Sequence, residues 1–96
     1  MYVLAEQAAR DLELILEGSA AEWGPVVARR TEARLTRQFE RIASGTAVGH
    51  RRHDLPTDSP LLFVTEKPFL IAFEAGSRVI VRVLHGRRDL PGLFQA

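Results

Sequence analysis

From Val27 to Ala43 the apolar residues fall at helical steps: Val27, Thr31, Leu35, Phe39, Ile42 and Ala43 share one face, while Arg30, Arg34, Arg37 and Arg41 share another. After Gly49 that spacing disappears. Leu61 to Glu66, Phe69 to Glu74 and Arg78 to Leu84 are short runs rich in β-branched and aromatic residues. A change of period from 3.6 to 2 partway along a short chain constrains the fold more than any single motif. Helices must cover a sheet, and the sheet must be built from consecutive strands with short connections.

The first helix is expected from Ala5 to about Leu16, on the spacing of Ala8, Leu12, Ile15 and Leu16. Glu6 and Asp11 lie in its N-terminal half, where negative charge suits the dipole. Gly18-Ser19 reads as its stop. The second helix starts at Gly24-Pro25, because proline lacks an N–H that the first turn has no use for, and it ends at Ser44-Gly45. Together they form a helical hairpin. Met1 to Leu4 and His50 to Leu55 are candidate edge strands, and Pro56 to Pro60 is a loop punctuated by two prolines. Phe69 to Glu74 is apolar nearly throughout, which predicts the central strand. Ala75-Gly76-Ser77 is a turn. In the last strand Val79, Val81 and Val83 are expected on one face and Ile80, Arg82 and Leu84 on the other. The class is α+β: an N-terminal strand and a helical hairpin packed on a twisted, mainly antiparallel sheet of three to four strands.

With 96 residues the chain fits one domain, residues 1–96. Its 46% hydrophobic and 26% charged residues exclude a disordered class. It has no cysteine, so neither disulfides nor thiolate metal sites are available, which suits a cytoplasmic protein. No run approaches the roughly 20 apolar residues of a membrane span. The opening residues lack a basic stretch and carry Glu6 and Asp11, so no secretory leader is expected. A net charge of +1 gives no general ground for nucleic-acid binding. Lys67 is the sole lysine; every other basic residue except the histidines is arginine, whose planar fork suits carboxylates and phosphates.

Catalytic motifs are thin. No serine sits in a G-x-S-x-G elbow, and there is neither a Gly-rich phosphate loop nor a paired-carboxylate motif. His50 and His53 are three apart, a spacing that on a strand sends them to opposite faces, so no metal is expected. His85 could act as a base only beside a nucleophile, and the sequence shows none. The arginine stripe could meet an acidic partner or simply face solvent. Arg87-Arg88-Asp89 could hold an anion or form a surface turn.

The ordered set of residues is similar to a known family. Tyr2-Val3-Leu4, then Ala8-Ala9-Arg10-Asp11-Leu12, Trp23-Gly24, Ala28, Leu35 through Ile42-Ala43 and Gly49 lead to the most specific piece, Val81-Arg82-Val83-Leu84-His85-Gly86-Arg87-Arg88-Asp89. Over nearly its whole length the chain resembles the ParE toxins, within the wider ParE/RelE group of bacterial toxin–antitoxin systems. The resemblance implies a toxin neutralised by a cognate ParD-type antitoxin whose C-terminal segment folds on it. DNA gyrase is the implied target, with no cofactor, no membrane association and no direct DNA binding without the antitoxin. It places target contact at Arg87, Arg88, Asp89, Leu93 and Phe94. Antitoxin contact is expected on Arg30, Arg34, Arg37 and Arg41.

The RelE-like branch, a ribosome-dependent mRNA endonuclease, is the alternative. It would draw on Arg88 and His85. By the resemblance, Phe94 stands where that branch has a tyrosine, and phenylalanine cannot transfer a proton. The nuclease set is therefore incomplete, and action by contact rather than by chemistry is expected. A degenerate, non-toxic relative that still binds an antitoxin is a further possibility. Phe73 also departs from the tyrosine that many relatives carry, which keeps the ring and loses a hydroxyl.

Overall fold

A computed structural model describes residues 1–53 and 59–86. Two helices, α1 (Glu6–Trp23) and α2 (Pro25–Ser44), precede three strands, β1 (Leu61–Glu66), β2 (Phe69–Glu74) and β3 (Ile80–His85). The strands form an antiparallel meander in the order β1-β2-β3, with the apolar β2 in the centre as the sequence predicts. The class is α+β, a helical hairpin on a three-stranded sheet.

Helix α1 does not stop at Gly18-Ser19. It continues to Trp23 and ends at Gly24, whose φ of 91° lies in a region that side chains avoid, and whose N–H donates to the Ala20 carbonyl at 2.9 Å. A glycine inside a helix costs about 1 kcal/mol and does not by itself end it. Proline in the first turn of α2 then restarts the helix at once. At the far end Gly45 takes the left-handed conformation, φ 82°, and Arg78 packs over it. The Arg78 guanidinium donates to the Ile42 carbonyl at 3.2 Å, a cation where the helix dipole is negative.

Thr31, Leu35, Phe39 and Ile42 are buried as the stripe predicts, but Val27, in the first turn of α2, is 36% exposed. Leu35, Phe39 and Ile42 meet Ala8 of α1, Val64, Ile71, Phe73, Ile80 and Val83 in the main core. The opposite sheet face holds a smaller cluster of Phe63, Leu70, Ala72 and Leu84.

The expected faces of β3 are corrected. Val83 lies with Ile80 in the main core, and Val81 lies with Leu84 on the other face. An irregularity opposite Ala72 and Phe73 pairs Phe73 with Ile80 and Ala72 with Arg82, so Val81 is an extra residue and the alternation shifts by one. Among the described residues each of the two candidate edge strands gives a single bridge, and residues 54 and 55 of the second lie outside them. Leu4 bridges Ile80 in parallel, because α1 begins immediately afterwards, and His50 bridges Phe63. Among the described residues no helix is long and apolar enough to cross a membrane.

A candidate partner-binding groove

Helix α1 crosses the outer edge of β3 and leaves a groove of about 620 Å³ between its second half, the start of α2 and the ends of β2 and β3. Leu14, Ile15, Gly18, Trp23, Val27 and Phe69 form its apolar walls. Leu14 is 62% exposed, Trp23 66% and Val27 36%. Large apolar side chains gathered at a concave surface are the usual mark of a partner site. Continuation of α1 through Gly18 creates this wall, because the next turn places Trp23 at the rim.

The floor is polar and fully engaged. Asp11, only 9% exposed, accepts from Arg82 Nε at 2.8 Å and from the Val83 backbone N–H at 3.0 Å through Oδ2. Its Oδ1 accepts from Arg82 Nη2 and from Gln7 Nε2, both at 3.2 Å. Asp11 thus serves as more than a charge near the helix start. The sequence carried a signal for this: Asp11 stands three residues after buried Ala8 and four before Ile15, on the inward face of α1, and Arg82 interrupts an apolar strand.

The arginine stripe is exposed but unequal. Arg34 reaches Glu66 Oε2 with Nε at 3.1 Å and Nη2 at 2.9 Å, and donates to the Lys67 carbonyl. Gln38 donates to Glu66 Oε1 at 2.9 Å. The Gln38 amide, with Arg34 and more weakly Arg37, holds the Glu66 carboxyl below its ordinary value against the opposing effect of burial. Arg41 donates to Gln38 Oε1 at 3.3 Å and, at 3.5 Å, to the Thr46 carbonyl beyond the helix end. Arg30 and Arg37 make no hydrogen bond or ion pair among the described residues, and both are exposed. Arg34 and Arg41 therefore fasten the fold, and Arg30 and Arg37 remain on the surface.

His85 lines the groove as the register partner of Phe69, its ring edge-on to the Phe69 ring at 5.9 Å. Arg87, Arg88, Asp89, Leu93 and Phe94 lie outside the described residues. Among the described residues no group of three or more histidines, aspartates or glutamates, with His50 and His53 or elsewhere, could hold a metal. Arg51 donates to the Ser59 carbonyl at 2.6 Å, just before β1, and Arg52 stands 6.0 Å from the centre of the Phe63 ring in β1.

A helical hairpin on an antiparallel meander, with an open groove at its polar-floored edge, places the chain among small α+β proteins of a defined fold. It superposes on a chain of the "Chromosomal ParDE TA system from P. aeruginosa" with a TM-score of 0.68 and 20% identity, over 88% of this chain and 96% of that one. No curated protein sequence matches it. The family described as "ParE toxin of type II toxin-antitoxin system, parDE" matches residues 2–90, and the chain belongs to that family.

Proposed function

We propose that this chain is held inactive by a ParD-type antitoxin and that, once released, it acts in the cytoplasm on DNA gyrase by protein–protein contact. Membership of the ParE family over residues 2–90 supports the toxin–antitoxin pairing. The observation that carries the partner is the groove, with Leu14, Trp23 and Val27 exposed along its walls. An amphipathic antitoxin segment fits such a surface, its apolar face against these residues and its acidic groups towards Arg30 and Arg37. Gyrase as target rests on the His85-Gly86-Arg87-Arg88-Asp89 sequence and on Phe94 in place of a proton-transferring tyrosine. Arg87, Arg88, Asp89, Leu93 and Phe94 are the proposed target contact, arginine and aromatic anchors being common hot spots.

Induced expression with and without the antitoxin tests the reading. Growth arrest with persistent DNA breaks, relieved by the antitoxin, is the expected result, together with loss of supercoiling activity when the purified chain is mixed with gyrase. Cleaved transcripts without DNA breaks would replace this target with the translating ribosome.

A further inference from the structure

The contacts made by Asp11 are concentrated on one short length of β3. Its carboxylate takes the Val83 N–H at 3.0 Å and both the Nε and Nη2 donors of Arg82, at 2.8 and 3.2 Å. A planar group that holds a main-chain donor and the adjacent side chain restrains both the position of a strand and its rotation. On the opposite edge β2 holds the same stretch through the pairs Ile71–Val83, Leu70–Leu84 and Phe69–His85. The Gly86 N–H then donates to the Pro68 carbonyl at 2.9 Å. The chain therefore reaches Gly86, one residue before Arg87, from a strand gripped along both edges. An ion pair with one partner buried and the other a third exposed adds little net stability over well-packed apolar residues, so stability alone is a poor reason for one at this position.

We infer that Asp11 is a positioning residue: it fixes the last residues of β3 and, through them, the strand end at His85 and Gly86, the residues that precede Arg87 in the sequence. The functional half of this inference rests on the proposed target contact at Arg87, Arg88 and Asp89. The structural half rests on the contacts of Asp11 alone.

The test uses the full chain and three variants. Asp11→Asn keeps the shape and removes the charge. Arg82→Met removes the donor but keeps the stem, and Arg82→Lys keeps a charged partner. Backbone amide hydrogen exchange is read by NMR, each rate taken relative to Ile71 in the central strand. In Asp11→Asn and Arg82→Met the amides from Leu84 to Gly86 are expected to exchange at least tenfold faster relative to Ile71, with Arg82→Lys close to the parent. A change confined to Val83, or an equal acceleration throughout the sheet, overturns the inference, because Asp11 would then be a local or a purely stabilising contact. In parallel, the inducer concentration that arrests growth is expected to rise about tenfold for Asp11→Asn and to return towards the parent level for Arg82→Lys. Unchanged arrest alongside faster exchange overturns the functional half. A parent chain that never arrests growth overturns the toxin reading instead, and exchange still decides the positioning role.

Discussion

Gly49 and Phe73 share a space that has no room for a methyl group. A Cβ on Gly49 would lie 2.8 Å from Phe73 Cζ, 2.9 Å from its Cε1 and 2.8 Å from Leu62 Cβ. Phe73 is 2% exposed and stands in the main core, so its ring has little freedom to withdraw. Gly49→Ala should therefore destabilise the fold by about 1–3 kcal/mol through overpacking. Urea unfolding of parent and variant checks this, and equal midpoints would show that the ring moves aside at little cost.

Gly18 is the opposite case. A Cβ there would meet nothing within 4 Å, and the residue sits inside α1. Alanine loses less backbone entropy on folding, so Gly18→Ala should add about 0.5–1 kcal/mol. For a domain of this size that raises the melting temperature by about 2–8 °C. A fall in melting temperature would mean that the helix needs a glycine at this point.

Glu66 gives the fold an acid-sensitive contribution. Its carboxyl titrates below the ordinary 4.5 in the folded chain, chiefly because Gln38 and Arg34 hydrogen-bond to the charged form. A lowered folded value means stability that is present above about pH 4.5 and lost as the pH falls through the folded value. Glu66→Gln should lower the urea midpoint at pH 7, and the gap from the parent should close towards pH 3. A gap that stays constant over that range would assign the effect to shape rather than charge.

Reversal of the two surface arginines, Arg30→Glu with Arg37→Glu, should leave stability within about 0.5 kcal/mol of the parent. It should slow antitoxin association about tenfold at low salt, with the difference shrinking as salt is added. Arg34→Ala should instead cost up to about 1 kcal/mol of stability, since that side chain joins α2 to Glu66 and Lys67. Stopped-flow association and thermal unfolding separate the two effects. Equal losses for both changes would show that the stripe acts as one surface.

Trp23→Ala and Leu14→Ala remove exposed side chains and should change stability little. Each should weaken antitoxin binding at least tenfold if the groove is the seat, as titration calorimetry would report. Unaltered affinity in both would move the partner elsewhere on the hairpin.

Local chemistry decided which elements were legible. Pro25 and Ser44-Gly45 mark both ends of α2, and the apolar run from Phe69 to Glu74 marks the central strand, because each signal acts within a few residues. Gly18-Ser19 misled as a stop, since a glycine weakens a helix without having to end it. The faces of β3 were misassigned because a bulge is a property of two strands, and Val81 carries no mark of being the extra residue. Asp11 and Arg82 are separated by 71 residues, beyond any spacing rule. The four arginines of α2 look alike in the sequence. Their division follows from where Glu66 and Thr46 come to lie, which only the packed sheet and the helix end determine.

Gly24 is the single residue between Trp23 and Pro25, and it is all that joins the two helices. The hairpin therefore has no slack, and the angular phase of α2 is inherited directly from the end of α1. One residue inserted in the first turn of α2 would turn the rest of that helix by about 100° about its own axis. That rotation would carry Leu35, Phe39 and Ile42 out of the core and bring charged side chains towards it. Length variation among chains of this shape should be absorbed elsewhere, and an invariant one-residue joint should accompany the fold.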